Sequence, residues 1–411
     1  MGVFTSAAGL EMYQGGTFSE DFKNVSFVAE PVSNLVHADY IKDDGVGFKA
    51  SRVYQQKEFL ASTDSWFRPV NIYTGPDGSL YIIDYYRKFI EHPEWMAKEV
   101  VESGNYTQAR TRSNLSYTSH WIKTCRSVRR YESRNVSVGQ LVDALANTNI
   151  WWRKNAQRLL MDRKPKEAIP LLKEMAINVD APLGRLHALW TLEGLGQLSP
   201  EMIKRALTDP VSGIRENAIR LAELHLHETP VLSDALLELK DDIDPKVRYQ
   251  LLLTLGYVDT PLVSKVRQDL LFKDIKDEWF QIAALSASSV QHSSLLDAVI
   301  DYSKGDVSAY VSLIHRLSAM IGRSGNLKEI QRQVKRATKK DSEESAQWQA
   351  AVLKGLAQGI KSKELVSSDF LGIQTSLMGA FFEHPSESVR EGSLQMLKTI
   401  GLPDSPIATQ L

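Results

Sequence analysis

The sequence predicts a mostly α-helical protein preceded by a small β region. Three observations predict it. Arginine recurs at a near-constant interval, at positions 153, 185, 215 and 248, in the later part of the 411-residue chain. Short β-favouring runs separated by turn signals occupy the part near the N-terminus, and a strongly basic stretch divides the two. The bulk composition, 43% hydrophobic and 24% charged with a formal charge of −1, belongs to an ordinary globular chain.

The β region comes first. Pro69-Val-Asn-Ile-Tyr-Thr74 and Ser79-Leu-Tyr-Ile-Ile-Asp-Tyr-Tyr86 are strand-like runs on either side of Gly75-Pro76-Asp77-Gly78, whose last glycine suits a positive φ. Strand, turn and strand predict a hairpin. Leu80, Ile82 and Asp84 share one face, and Tyr81, Ile83 and Tyr85 the other, so both faces need cover. Propeller blades, packed between neighbours, meet that need.

The basic segment follows. From Asn105 to Val136 stand Arg110, Arg112, Lys123, Arg126, Arg129, Arg130 and Arg134, opposed by Glu132 alone. The stretch carries +6 and leaves −7 for the rest of the chain. It holds neither a helical nor a strand period over its length, so residues 105–137 are expected to be disordered.

The helical region, residues 138–402, repeats. Trp152, Gly184, Ile214, Val247 and Val389 each precede an arginine: Arg153, Arg185, Arg215, Arg248 and Arg390. The last gap, from Arg248 to Arg390, holds four further repeats of similar length, with Trp279-Phe280, Ile314 and Trp348 as their anchors. Counting from the residue before arginine, positions 0, +4, +7 and +8 form one helical face. A small residue at +4, as at Ala156, Ala188 and Ala218, lets two helices approach closely. Asp180-Ala-Pro182, Asp209-Pro210, Asp244-Pro245 and His384-Pro385 mark the turns before these helices, Asp as cap and Pro in the first turn. Two helices per period of roughly 30–40 residues predict an armadillo- or HEAT-like α-solenoid of about eight repeats. Residues 403–411 are a tail.

Composition excludes much. No run of about 18 apolar residues exists, so no membrane span is expected. Met1-Gly-Val-Phe-Thr-Ser6 lacks the basic start and apolar run of a signal peptide. The balanced charge argues against nucleic acid as a partner. Cys125 is the single cysteine, which excludes an intrachain disulfide and a CxxCH haem attachment. His225-Leu-His227-Glu228 offers metal-ligand types, but residues two apart do not share a helical face, so no metal site is assigned. The richest polar cluster lies in the β region: His37, Arg68, Asp84, Tyr86, Arg87 and His92 fall at strand ends or in adjoining loops. Arginine there could grip carboxylates bidentately, and histidine could serve as a general base. Equally, Arg68 and Asp84 could form a structural ion pair.

Several strings carry a family resemblance. Asn34-Leu-Val-His37, Glu58-Phe-Leu-Ala-Ser-Thr-Asp-Ser-Trp-Phe-Arg-Pro-Val70, Gly75-Pro-Asp-Gly-Ser-Leu-Tyr81, Asp84-Tyr-Tyr-Arg87 and Ile90-Glu-His-Pro93 resemble the closing part of the β-propeller in PVC-type membrane-bound dehydrogenases, also called haem-binding proteins. These are similar to the sorbosone and glucose quinoprotein dehydrogenases. The resemblance implies that residues 1–104 end an incomplete propeller and that HEAT repeats follow, with a cytochrome c domain absent here. It implies a C-terminal fragment of a sugar or alcohol dehydrogenase, inactive alone and extracytoplasmic, whose parent uses pyrroloquinoline quinone and calcium. It gives no agreed catalytic positions. The partners expected are a protein on the HEAT surface and a cytochrome c; the alternative is a HEAT-repeat binding scaffold without catalysis. Relatives continue after Gly104 with a strand like Gly-Arg-Ile-Tyr-Arg-Ile, missing here. Codons permitted for Arg112-Ser-Asn-Leu-Ser-Tyr117, read one base later, give Gly-Arg-Ile-Tyr-Arg. A compensated pair of frameshifts would therefore explain the segment, and the gene's own codons decide it.

Overall fold

The computed structural model describes residues 6–90, 92, 94, 98–102, 118–122, 136–286, 292–302, 308–340, 345–360 and 370–401. They form a mostly helical chain preceded by a small antiparallel strand region, distributed over two compact units, Met1–Leu221 and Ala222–Leu411. Most of the basic segment, Cys125 and the tail lie outside the described residues.

The strand runs build two sheets in the first unit. β1 (Leu10–Met12), β2 (Val25–Glu30), β3 (Leu35–Asp44) and β4 (Gly47–Arg52) lie side by side in that order, and β5 (Leu60–Ala61) also pairs with β3. The second sheet is β6 (Pro69–Thr74), β7 (Leu80–Asp84) and β8 (Thr118–Ile122). Thr74 stands opposite Leu80, so the Gly-Pro-Asp-Gly turn closes the expected hairpin. Gly78 adopts φ +77°, where an L side chain is strained, and the Asp77 carboxylate accepts from the Ser79 amide at 3.0 Å. Leu80, Ile82 and Asp84 are buried on one face; Tyr81 and Ile83 are half-buried on the other. β8 comes from inside the basic segment and pairs antiparallel with β7 from Ile122 opposite Leu80 to Thr118 opposite Asp84.

Both sheets contribute to one core. Val25, Phe27, Ala29, Val36 and Ala38 from the first meet Ile72, Leu80 and Ile82 from the second. Aromatic rings thicken it: Tyr13 stacks on Phe18 at 4.2 Å, and Phe59 meets Phe27 edge-on at 4.7 Å. Each such buried side chain contributes about 1.5–3 kcal/mol relative to exposure.

After the short α1 (Lys98–Glu102), helices come in pairs. The first unit holds α2 (Val138–Ala144) with α3 (Ile150–Arg163), and α4 (Ala168–Met175) with α5 (Pro182–Gly194). Next come α6 (Pro200–Leu207) and α7 (Ser212–His225), which runs across the division between the units. The second unit continues with α8 (Val231–Leu237) and α9 (Pro245–Thr254), then α10 (Pro261–Lys273) and α11 (Glu278–Leu285). α12 (His292–Tyr302) and α13 (Val311–Ser324) follow, then α14 (Leu327–Ala337) and α15 (Ala346–Ile360), and last α16 (Leu371–Glu383) and α17 (Glu387–Ile400). Each period arginine sits in the second helix of its pair.

Packing repeats too. Second helices touch second helices, α3 on α5, α9 on α11, α13 on α15 and α15 on α17, while first helices pack on first, α2 on α4 and α14 on α16. The +4 positions Ala156, Ala188, Ala218 and Leu251 are all buried, as the face reading required. Caps follow sequence chemistry with three differences, one being that Asp209 lies three residues before α7, which starts at Ser212. Ser137 and Gln140 form a reciprocal capping box on α2, and the Asp244 carboxylate accepts from the Lys246 amide at 2.9 Å to cap α9. On α5, however, Ala181 holds the cap position rather than Asp180, and on α17 Ser386 does so, two residues after His384.

Candidate functional site

Asp84 ends β7, and its side chain turns back onto the backbone. One carboxylate oxygen accepts from the amides of Arg68, at 2.7 Å, and Tyr86, at 2.8 Å. Asp84 is wholly buried. Its charge thereby fixes the start of β6 against the chain leaving β7, where Tyr86 takes φ +44°. Arg68, also buried, extends its guanidinium to four backbone carbonyls. Nη1 donates to Pro31 at 2.7 Å and Val32 at 3.0 Å, Nε to Arg87 at 3.0 Å, and Nη2 to Lys88. One side chain thus ties the β2–β3 turn to the segment after β7.

Arg87 and Tyr86 complete the group. Arg87 Nη1 donates to the Tyr85 hydroxyl at 2.8 Å, and the guanidinium lies over that ring. Tyr86 is two-fifths exposed, its ring 5.9 Å from Trp66. The charge of Asp64 and a hydrogen bond to it push the Tyr86 phenol above its ordinary value. His92 stands apart, exposed, with Nδ1 3.7 Å from Glu94 Oε2.

His37 belongs to a second cluster. Register on β3 and β4 gathers His37, Asp39 and Arg52, and the following loop adds Glu58. His37 Nδ1 meets Glu58 Oε2 at 2.5 Å, and Nε2 meets Asp39 Oδ1 at 3.1 Å. Arg52 Nη2 holds the other Glu58 oxygen at 2.5 Å. Burial works to raise the Glu58 carboxyl, but the hydrogen bonds and charges of His37 and Arg52 prevail and bring it below the ordinary carboxylate value. Both ring nitrogens of His37 are engaged, Nε2 by Asp39 of its own strand and Nδ1 by Glu58 of the loop after β4. The six sequence candidates therefore resolve into a backbone clasp (Arg68, Asp84, Tyr86, Arg87), a carboxylate-held histidine (His37) and a surface residue (His92).

Among the described residues, the sequence candidates do not fit pyrroloquinoline quinone or calcium. The Arg68 guanidinium is committed to carbonyls, Asp84 to amides, and His37 to Asp39 and Glu58. Among the described residues no three His, Cys, Asp or Glu side chains are placed to hold a metal ion.

The Gly-Pro-Asp-Gly turn has a second role. Asn149, the cap of α3, accepts from the Trp151 amide at 2.8 Å and donates through Nδ2 to the Gly75 carbonyl at 2.9 Å. Trp152 Nε1 donates to the Pro76 carbonyl at 3.0 Å, and Arg153 Nη2 reaches Gln14 Oε1 at 2.6 Å. The sheets of the first unit are thereby hydrogen-bonded to its first long helix.

The period arginines share one geometry. Each points Nη1 at two successive carbonyls of the turn before its own helix. Arg153 takes Asn147 and Thr148, Arg185 takes Asn178 and Val179, and Arg215 takes Asp209 and Pro210. In the second unit Arg248 takes Asp242 and Ile243, and Arg390 takes His384 and Pro385. These carbonyls are among the backbone groups that a helix–turn–helix leaves without partners. Two of the arginines also reach the next turn as a fork: Arg185 to Asp209 at 2.9 and 3.0 Å, Arg248 to Asp274 at 2.7 Å twice. Gln281, one period on from Arg248, does a related job, its amide donating to the Ile275 carbonyl at 2.8 Å and to Ala309 at 3.0 Å. Sequence reading missed Gln281 because it sought arginine, although the spacing pointed to the position. It also missed Gln14 and Asn149, whose roles depend on contacts with distant parts of the chain.

Residues 1–116 match a family described as a domain of unknown function, DUF7133. The match covers both sheets up to β7 and ends inside the basic segment. No curated protein matches the chain.

Proposed function

We propose that this chain is a fragment, an arm, of a quinoprotein-like sugar or alcohol dehydrogenase of the membrane-bound dehydrogenase family. Its sheets are the end of a β-propeller, its helices are HEAT-like repeats, and the arm itself performs no catalysis. One observation carries the absence of catalysis in the arm: Arg68, Asp84 and His37, the groups most suited to cofactor or substrate, are engaged in holding the fold. The family itself rests on the resemblance of the strings from Asn34 to Pro93. What the arm contributes is a rigid surface. The clasped strand ends are bonded through the Gly75-Pro76 turn to α3, and arginine-bridged turns stiffen the repeats. The proposed partner is the protein that accepts the parent's electrons, a cytochrome c, in an extracytoplasmic compartment.

Dye reduction by the purified chain with added pyrroloquinoline quinone, calcium and aldoses tests the absence of catalysis. No turnover is expected above buffer. Cofactor-dependent reduction would overturn it.

The second reading, a HEAT-repeat binding scaffold unconnected with dehydrogenation, draws on the turns between paired helices. Val179 in the first unit and Ile243 in the second are apolar and largely exposed, beside the carbonyls that Arg185 and Arg248 hold. Repeat arrays present extended surfaces of this kind to protein partners. The DNA upstream separates the readings: further propeller blades in the same frame favour the dehydrogenase arm, and an in-frame stop with its own promoter favours the scaffold.

A further inference from the structure

In the first unit, α2 and α3 hold between them a cavity of about 370 Å³. Buried Leu141 and Ala156 form its floor. Trp151 and Trp152 stand in its wall, their rings edge-on at 4.8 Å. Both tryptophans are only half-buried, so aromatic surface is left for an occupant.

The rim is positive. Arg158 borders the same cavity and is exposed. Lys154 lies one turn, about 6 Å, before it on α3 and is exposed as well. Neither side chain makes an ion pair or hydrogen bond among the described residues. Like charges four residues apart on a helix repel, and nothing of opposite sign relieves this pair. Buried Arg153 adds to the charge. The forks of Arg185 and Arg248 end on Asp209 and Asp274, but Arg153 ends on Gln14 and His187.

The neighbouring carboxylates are turned elsewhere. Asp143 of α2 lines a separate cleft with Gly139 and Val142. Asp77, next to the Pro76 carbonyl that Trp152 holds, accepts from the Ser79 amide and hydroxyl. Asp162, a turn beyond Arg158, is exposed and forms no ion pair among the described residues.

Charge and shape select the occupant. Tryptophan and arginine dominate protein contacts where a partner's side chain fills a pocket. Arg158 borders the cavity and Lys154 lies outside it, so an occupant that meets both extends past the cavity along α3. The chain's own stretch leading into Val136, another wall residue, carries +6 and has the wrong sign to answer them. An acidic partner has the right one.

We propose that the α2–α3 cavity is a docking site for an acidic protein segment carrying an aromatic anchor. The anchor enters beside Trp151 and Trp152, and carboxylates adjoining it in sequence pair with Arg158 and Lys154. The inference goes beyond the function proposed above: it holds for a partner under either reading, and its test fails separately from dye reduction.

Fluorescence anisotropy tests it with the full chain and short labelled peptides in which one phenylalanine is preceded, followed or flanked by aspartates. Saturable binding of at least one peptide is expected, weakened by added salt. Lysine in place of aspartate, or serine in place of phenylalanine, is expected to weaken it at least tenfold. Arg158→Glu is expected to weaken it tenfold or more and to keep the fold, because glutamate four residues after Lys154 replaces repulsion by attraction. Ala144→Phe, which fills the cavity from its half-buried α2 side, is expected to do the same, with melting temperatures checking both variants. Absence of saturable binding overturns the proposal. So does equal binding of the lysine or serine peptides, phenylacetate binding as tightly as the peptides, or a folded Arg158→Glu protein that binds them like the parent. A doubled mass in light scattering that Ala144→Phe abolishes would assign the cavity to a second copy and overturn it too.

Discussion

Arg185 and Asp209 are joined by two parallel hydrogen bonds of 2.9 and 3.0 Å, between the second helix of one pair and the turn inside the next. The same guanidinium satisfies the Asn178 and Val179 carbonyls, and the backbone carbonyl of Asp209 serves Arg215. Turn, arginine, aspartate and next turn thus form one continuous polar chain. Both side chains of the pair are about nine-tenths buried or more, so solvent screens them little.

Asp209→Ala is therefore expected to lower stability by about 3 kcal/mol, because it leaves a buried guanidinium fork without its acceptor. The apolar double variant Arg185→Met/Asp209→Leu should recover at least about 1 kcal/mol of that, since neither charge then remains buried. Urea unfolding followed by tryptophan fluorescence reads both. An Asp209→Ala protein as stable as the parent would mean that the fork contributes nothing.

Asn149 has a double task, capping α3 and holding the Gly75 carbonyl. Replacing it by alanine removes a cap worth about 1 kcal/mol and a buried hydrogen bond worth about the same. Asn149→Ala is expected to lose roughly 2 kcal/mol from the two together, and to speed amide exchange in the Gly75–Gly78 turn as well as in the first turn of α3. Asn149→Ser keeps the cap but cannot reach Gly75. Its exchange should quicken in the turn alone, and equal protection there in both variants would remove the docking role.

The contrast between these two residues shows what is legible in sequence. The arginine period is visible because one task recurs: the carbonyls before each second helix need a donor, and the same residue supplies it at nearly the same spacing. The hairpin is visible because Gly-Pro-Asp-Gly and two-residue alternation are local signals. Asn149 is silent because asparagine before a helix reads as a cap, and nothing local reveals a bond to Gly75. Arg68 and Asp84 stand out as a candidate site since they are charged residues at strand ends, where ligand-binding groups also gather. A charge that serves backbone groups looks identical in sequence to one that serves a ligand. β8 is equally hidden, for Thr118–Ile122 lies within a stretch whose overall composition carries no strand period.

The closest helix contacts in the second unit make a third expectation. Gly355 and Gly359 on α15 face α13 so tightly that a methyl group at Gly359 would strike the Ala319 carbonyl, and one at Gly355 the His315 carbonyl. On α13, a methyl at Gly322 would meet the Leu356 carbonyl at 2.6 Å. Alanine gains about 1 kcal/mol over glycine in helix propensity. Here the opposing atoms are backbone and cannot rotate away, so overpacking of about 1–3 kcal/mol or more outweighs it. Gly359→Ala is expected to lower the melting temperature, whereas Gly379→Ala, with open space around its added methyl, should raise it slightly. Melting both variants side by side checks the sign, and a stabilised Gly359→Ala would show that α13 and α15 can separate freely.

His187 supplies a pH dependence. Its Nε2 accepts from Arg153 Nε at 3.3 Å and its Nδ1 is 2.8 Å from Gln157 Oε1, so the neutral ring fits between them. Burial, then the charges of Arg153 and Lys154, push its pKa down to about 4. In the unfolded chain the ordinary value near 6.5 applies. Between these values the unfolded state holds a proton that the folded state lacks, so folding weakens as pH falls through that window. The contribution is whole above about 6.5 and gone below about 4. At about 1.36 kcal/mol per pKa unit the ceiling is about 3 kcal/mol, and the partial exposure of the ring reduces it to about 1–2 kcal/mol. Glutamine at this position offers the same acceptor and donor without titrating. The parent should therefore lose more stability than His187→Gln, by that margin, as the pH of paired urea titrations is lowered from neutral through the window. Parallel stability curves for the two proteins would show that His187 takes up its proton equally well folded and unfolded, and that the Arg153–His187–Gln157 chain does not hold the ring neutral.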